Sequence, residues 1–599
     1  MKDFSTYFTE RAIVTHICKL RVKIAKTRNK KHLIHLLTDS DRYNYHNNEL
    51  NIVDKNEFSE YQFELNTQLS EILPPRKRWV KLGYKSRMNR NGTEKLTSND
   101  KNYYSILKTI KLYRKKAPQT KWLLELDKFV KDIQSTIKED DFNIKKPLIF
   151  PKLKEEFISE IDINKCRPIS MFSLKERIIL SISNNFLTNL FDGYFEDSSY
   201  AFRSKKNKEG TSVISHQDCI RDIVELQKTN NYKDQFVVEC DMEKFYDSVN
   251  HKIVKKLFNI LIDKSEVDNP NFDFKIVKHI FNEYLNCYAF NINVPLAKDT
   301  KYWNSYKIPN GEFGWVKNRL IELKYYSDIE KERIGVPQGG ALSGLIANIV
   351  LNEADKELLK TDVFYIRFCD DMLIIHEDKN KCEEAKAIYK KSLRELKLVP
   401  HKFVDKLTKQ ISPTKFTFHP FWHTKSKGAY KWGAIENNGF PWITFVGYEI
   451  HHKGNIRVRK KSLEKELKKQ KKIVTEVKKA IEHGQRKVKG AVIQSAINRL
   501  IGMSVGRIGL NNYEEVSTDM CWKNGFKELS INKDSIRQIK KLDRNRSKLY
   551  YDLFKSVKEL EEVNGEDEIN KNTKREIIFY DKPFSYYYQI LERNKNNKS

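Results

Sequence analysis

The feature that most constrains this chain is a pair of apolar runs separated by acid. Val363-Phe-Tyr-Ile-Arg-Phe leads into Cys369-Asp-Asp, and Met372-Leu-Ile-Ile-His follows. Two β-rich runs around so few polar residues read as strands joined by a tight turn. A further β-rich run, Phe236-Val-Val-Glu-Cys, ends at Asp241, which places that carboxylate at a sheet edge. A hairpin turn can set Asp370 and Asp371 beside it. Three carboxylates gathered in this way repel unless cations neutralise them, and their hard oxygens suit Mg²⁺. Two such ions about 4 Å apart activate a hydroxyl and stabilise a leaving pyrophosphate. Alone, an Asp-Asp pair is more simply a turn. The surrounding residues decide.

The chain has 599 residues, enough for several domains. Lys and Arg number 111 against 80 Asp and Glu, a surplus of +31 that favours a polyanionic partner. At 39% apolar and 12% aromatic residues, the chain is too rich in core formers to be a disordered basic tail. No stretch approaches the roughly 20 apolar residues of a membrane span. The first 26 residues read as no secretion signal. Eight scattered cysteines without a CxxC pair suit reduced thiols, not a disulfide framework or a zinc module. A cytoplasmic, nucleic-acid-handling protein is expected.

Residues 1–145 are Lys-rich, with helical spacing in segments such as Trp122-Leu-Leu-Glu-Leu-Asp-Lys-Phe-Val. From about 146 short strands alternate with helices, the texture of a mixed unit. Pro147–Lys152 is strand-like and Phe172–Leu190 an amphipathic helix. Trp442–His452 reads as strand and turn. From 461 to 599 the pattern is basic and helical again, opening with Ser462-Leu-Glu-Lys-Glu-Leu.

The order of motifs carries a resemblance. Cys240-Asp-Met-Glu-Lys-Phe-Tyr-Asp-Ser-Val-Asn-His251 comes first, and Gly335-Val-Pro-Gln-Gly-Gly-Ala-Leu-Ser follows. Phe368-Cys-Asp-Asp371 and Phe445-Val-Gly-Tyr448 complete the series, with Arg167-Pro-Ile-Ser and Ser199-Tyr-Ala-Phe-Arg203 upstream. Over residues 146–470 the chain resembles the reverse transcriptases, most closely the bacterial group II intron-like branch. That implies an α+β fold, a right-hand polymerase with fingers and palm over 146–460. A helical basic region over 1–145 and a helical thumb and C-terminal region over 461–599 would flank it.

By the resemblance, Asp241, Asp370 and Asp371 are catalytic, and Met242 joins them in holding two Mg²⁺ ions, with Mn²⁺ as the substitute. Tyr246 matches the ring that blocks a ribose 2′-hydroxyl. Gln338 and Gly339 match the loop against the incoming nucleotide. Lys152, Arg167 and Arg203 resemble finger cations that bind the triphosphate, although Arg203 equally suits a role in fixing the finger fold. Gly447 and Tyr448 resemble the primer grip, and Lys460, Lys461 and Lys465 would begin the thumb. The family usually has Tyr where this chain has Phe368, which bears on contacts with the primer terminus, not on metal binding. Cys369, among acids, is no nucleophile.

No nuclease or RNase H signature follows the thumb, and the interval from His251 to Arg333 is long. The picture is similar to the defence-associated, unknown-group reverse transcriptases. It implies DNA synthesis on an associated non-coding RNA, in anti-phage defence, from dNTPs. The implied partners extend to a second copy or a companion polymerase, with no membrane. Two alternatives stay open: untemplated or protein-primed synthesis, with Tyr43, Tyr45 or Tyr586–Tyr588 as primer, and a silent RNA-binding scaffold. Basic runs such as Arg76-Lys-Arg-Trp79 and Arg544-Asn-Arg-Ser-Lys548 are the expected RNA contacts.

Overall fold

The β-rich runs around Asp241 and Asp370 become neighbouring strands of one sheet. The protein is seen here as a computed structural model. It describes residues 3–30, 43–44, 49–50, 57–83, 96, 98–139, 142–153, 166–210, 212–297, 314–404, 409–412, 415–417, 424–482 and 528–563. The chain divides into two bodies. One comprises residues 1–17, 56–68 and 125–446, and the other 18–55, 69–124 and 447–599.

The first body opens its mixed part with a hairpin of β1 (Leu148–Leu153) and β2 (Cys166–Met171). Helix α1 (Leu174–Phe191) follows, started by a capping box in which Ser173 and Glu176 satisfy each other's backbone N–H. Next come α2 (His216–Thr229), β3 (Gln235–Cys240), α3 (His251–Asp268) and α4 (Lys275–Asn286). They are followed by α5 (Ser343–Leu359), β4 (Phe364–Phe368), β5 (Asp371–His376), α6 (Lys379–Glu395), β6 (Phe403–Val404) and β7 (Ser426–Trp432). The sheet runs β4-β5-β3-β7-β6, antiparallel except for the parallel β7–β6 pair. Helix α6 packs on β3, β5 and β7, while α5 packs on α1, α3 and α6. The mixture of helix and sheet agrees with a right-hand polymerase.

The interval from His251 to Arg333 turns out to supply core. Phe258 of α3 stacks on Phe281 of α4 at 3.7 Å, and both are buried. Tyr284 is buried too and hydrogen-bonds Ser343, the first residue of α5. The interval also holds an aromatic-polar piece, Tyr302–Trp315; its residues 302–313 lie outside the described residues, while Gly314 and Trp315 open the helix Gly314–Glu322.

His251 ties this interval to the Gly335 loop. Its buried Nε2–H donates to the Gly335 carbonyl at 2.7 Å. Gly335 takes φ +81°, and a Cβ there would meet Phe290 Cβ at 2.4 Å, so only glycine fits. Burial pushes the imidazole pKa down to about 4; the Gly335 carbonyl opposes this, and Arg333 and Lys255 add to it. An unfolded histidine titrates near 6.5, so between about pH 6.5 and 4 the unfolded chain binds more protons than the folded one. Stability therefore falls as pH drops through that window, by about 3 kcal/mol in full. Melting curves from pH 7.5 to 4.5 should show a steeper loss for wild type than for His251→Gln. Parallel losses would refute this.

In the second body, β8 (Tyr448–His451) and β9 (Ile456–Val458) form an antiparallel hairpin ahead of α7 (Lys460–Glu482). Leu463, Glu466, Gln470 and Val474 are the buried stripe of α7, which packs along α8 (Lys533–Val563). Lys460, Lys461, Lys465, Lys468, Lys469 and Lys471 are exposed. Arg76, Lys77 and Arg78 are exposed as well, and Trp79 sits under Arg21. The Arg544–Lys548 run does not present itself whole: Arg546 is buried, which leaves Arg544 and Lys548 outward. Tyr45 and Tyr586–Tyr588 lie outside the described residues. Among the described residues no helix is long and apolar enough to cross a membrane.

Candidate active site

Strand register brings the acids together. Cys240 pairs with Met372 across β3 and β5, so Asp241, one residue on, leaves β3 beside the start of β5. Phe368 pairs with Asp371, which closes β4 and β5 through a two-residue turn of Cys369 and Asp370. A turn that short needs a left-handed first residue to match strand twist. Cys369 supplies it at φ +60°, a conformation that costs a non-glycine residue about 1–3 kcal/mol and persists only where its surroundings hold it.

Arg367 does the holding. It is fully buried in β4 and donates through a terminal nitrogen to the Cys369 carbonyl at 2.8 Å. Its other nitrogens take the Asp355 carboxylate of α5 in a fork, at 2.8 and 2.5 Å. Ser199 Oγ accepts a further bond at 2.9 Å, and Tyr365 donates to the same carboxylate at 2.7 Å. The backbone joins in, because Arg367 N–H donates to the Ser198 carbonyl and Tyr200 N–H to the Arg367 carbonyl. The Ser199-Tyr-Ala-Phe segment is thus fastened to the strand that ends in the acidic turn.

Asp370 feels the charge of Asp241. Burial raises the Asp370 carboxyl above its ordinary pKa, the Asp241 charge raises it further, and Lys425 pulls it back. The Asp241 carboxylate is in contact with the Lys425 ammonium. Asp371 is exposed at the first position of β5, and Met242 is buried. Among the described residues no three His, Cys, Asp or Glu side chains converge as they would around one metal ion. The convergent pair, Asp241 and Asp370, is nonetheless a hard-oxygen donor set that repels itself, and this suits a divalent cation.

Tyr246 lies next to this pair. Its ring is largely buried, and its hydroxyl is 3.2 Å from Cys369 Sγ. Burial pushes the Cys369 thiol up to about 12, so it stays protonated. The Tyr246 carbonyl accepts from Val336 N–H at 2.7 Å, which seats the Gln338 loop against the short helix Phe245–Ser248 that carries Tyr246. Gln338 donates its side-chain amide to Asp247 at 2.7 Å and accepts Ser170 N–H on its carbonyl at 2.8 Å. Gly339 takes φ +94°, and a Cβ there would stand 3.4 Å from the Ser170 carbonyl.

The β1–β2 hairpin sets Lys152 opposite Arg167 in register, with Arg167 exposed. Arg203 goes elsewhere. It is buried, pairs with Asp192 at 2.6 Å and donates to the carbonyls of Asp192, Phe195, Glu196 and Ser199. Its guanidinium is spent on fixing the loop, the second of the two roles its motif suits. Gly447, at φ +95°, and buried Tyr448 belong to the second body.

Four residues of this neighbourhood escaped sequence reasoning: Arg367, Asp355, Lys425 and His401. For Arg367 a signal was present. A cation inside an apolar strand must find a buried acid, and Asp355 lies on the buried side of the helix that begins at Ser343.

Known proteins supply an independent line. Residues 285–418 match the family model of the reverse transcriptase (RNA-dependent DNA polymerase). That span holds Gln338, Gly339, Asp370 and Asp371, and Asp241 precedes it. Protein YkfC of Escherichia coli (strain K12) is 22% identical over 195 residues, 32% of this chain and 38% of that protein. Among solved structures, the chain is similar to apo telomerase from Candida tropicalis truncated from its C-terminal domain. Identity is 15% and the TM-score 0.32, over 53% of this chain and 55% of that one. Telomerase from Candida albicans in complex with a TWJ fragment of telomeric RNA gives 12% and 0.29, over 78% and 72%. The chain therefore spans less than two thirds of both the curated relative and the first telomerase. Reverse transcriptase domains generally use divalent metal ions. Over residues 285–418 the chain thus matches the reverse transcriptase domain of RNA-directed DNA polymerases.

Proposed function

We propose that the whole protein is an RNA-directed DNA polymerase of the group II intron-like branch. It acts in the cytoplasm, copying an associated non-coding RNA in anti-phage defence. The observation that carries the catalytic reading is the approach of Asp241 and Asp370 next to the ring of Tyr246. Asp241 and Asp370, with the Met242 carbonyl and Asp371, would hold two Mg²⁺ ions. Such ions, when bound, acidify a primer 3′-hydroxyl and offset the charge of the departing pyrophosphate.

The protein's own residues do the positioning. Arg367 and the Asp355 carboxylate keep the turn that carries Asp370 in its strained shape. The ring of Tyr246, anchored at Cys369, fills the space a 2′-hydroxyl needs and so selects dNTPs. Asp247 takes the amide hydrogens of Gln338 and thereby orients it towards the nucleotide. Lys152 and Arg167 on their hairpin attract the triphosphate. Exposed cations at Arg76, Lys77 and Arg78 and along α7 supply the phosphate contacts of template and product.

Purification from cells of origin, followed by sequencing of the bound RNA and DNA, tests the reading. One defined RNA is expected, with DNA complementary to it. Random RNA and tRNA should displace that RNA far less well than unlabelled copies of itself do at near-physiological salt. DNA with no matching template would overturn templated copying, and equal displacement by any RNA would overturn the specific partner.

A further inference from the structure

Asp241 touches a cation that no role above employs. Lys425, the residue just before β7, brings its ammonium onto Asp241 Oδ2, and that ammonium also lies 3.1 Å from His401 Nε2. On the far side of the ring, Nδ1 stands 3.4 Å from Glu243 Oε1. If Lys425 donates to Nε2, the imidazole proton resides on Nδ1 and faces Glu243. This gives a line of four side chains: Glu243, His401, Lys425 and Asp241.

The line is built on fixed backbone. His401 N–H donates to the Asp241 carbonyl at 2.9 Å, and Glu243 N–H to the Val399 carbonyl at 2.7 Å. Asp241 N–H donates to Ser426 Oγ at 3.1 Å, so the residue next to Lys425 is bound to the same aspartate. The Lys425 side chain is nevertheless 57% exposed. An exposed lysine gives up considerable rotamer freedom when it is held in one place, and here two acceptors hold it. The second acceptor matters, because it keeps a seat for the ammonium that does not depend on Asp241.

We propose that Lys425 is the built-in counter-cation of Asp241. Its ammonium neutralises the carboxylate while the site is free of divalent metal and yields that carboxylate to an entering divalent cation, with His401 keeping hold of the lysine. The inference rests on the reading that Asp241 helps to bind such a cation. Because metal and ammonium compete for one carboxylate, Lys425 sets how much free metal the site requires.

The test is direct Mn²⁺ binding, read by electron paramagnetic resonance on the full chain without nucleic acid or dNTP. Lys425→Gln, which removes the charge from an exposed position, should bind Mn²⁺ roughly two- to fivefold more tightly than wild type, the scale of an exposed ion pair. Lys425→Arg keeps the charge and should stay near wild type. Equal melting temperatures would show that all three proteins are folded alike. Asp241→Asn separates the two claims. If Mn²⁺ binding is indifferent to Asp241→Asn, the metal assignment falls and the counter-cation with it. If binding needs Asp241 but Lys425→Gln binds no more tightly than wild type, the counter-cation alone is overturned.

Discussion

Asp370→Asn should lower DNA synthesis by about 10³-fold or more, equivalent to about 4 kcal/mol or more of barrier, while the protein stays folded and keeps its RNA. The carboxylate is mostly buried, and both burial and the Asp241 charge disfavour its ionised form. An ionised carboxylate at this position therefore costs the fold. Asparagine has nearly the same shape and no charge, and it relieves the repulsion with Asp241. The variant should melt at the same temperature as wild type or slightly higher at neutral pH. Primer extension with Mg²⁺, set beside a melting curve, checks both halves. Synthesis near the wild-type level would remove Asp370 from the chemistry. A large fall in melting temperature would make it a structural residue.

Arg367→Ala should destabilise the first body strongly, by about 3–5 kcal/mol. Arg367 and Asp355 are both fully buried and joined by a fork of hydrogen bonds. Removing the guanidinium leaves the Asp355 carboxylate without its cation in a medium that cannot solvate it. Against a typical total of about 5–15 kcal/mol, such a loss is severe. Replacing both partners by apolar residues separates stability from positioning. The Arg367→Met, Asp355→Leu double variant should recover most of the lost stability, because a buried ion pair is often no better than well-packed apolar groups. It should not recover synthesis, because the Cys369 carbonyl still lacks the donor that steadies the acidic turn. Urea denaturation and primer extension on the single and double variants are the measurements. Full activity in the refolded double variant would show that the clamp on Cys369 is dispensable.

Much of the five-stranded sheet was legible beforehand because its signals are local. The runs 236–240 and 364–368 are apolar over a strand's length, and the acidic turn between 368 and 371 is too short for anything but a hairpin. Helical spacing near Trp122 and Ser462 likewise gave helices at Lys121–Thr136 and Lys460–Glu482. The interval from His251 to Arg333 was less legible. Its helices carry apolar faces, but nothing along the chain says that Phe258 meets Phe281 or that Tyr284 reaches Ser343. Along the chain its length is what stands out, whereas its described part supplies core.

The sequence alone determined which chemistry this chain can attempt. Aspartates at strand ends, a glutamine between glycine turns and a bulky ring five residues after Asp241 are properties of residue type and spacing. What only the tertiary structure decided is which groups meet. Arg203 and Arg367 are both arginines close to the motifs, yet one is consumed by its own loop and the other holds the acidic turn. Lys425 lies 184 residues from the carboxylate it touches. Pairings of that kind depend on strand register and on which charges a buried site must neutralise. Burial and register exist only once the sheet has formed, so no local pattern could encode them.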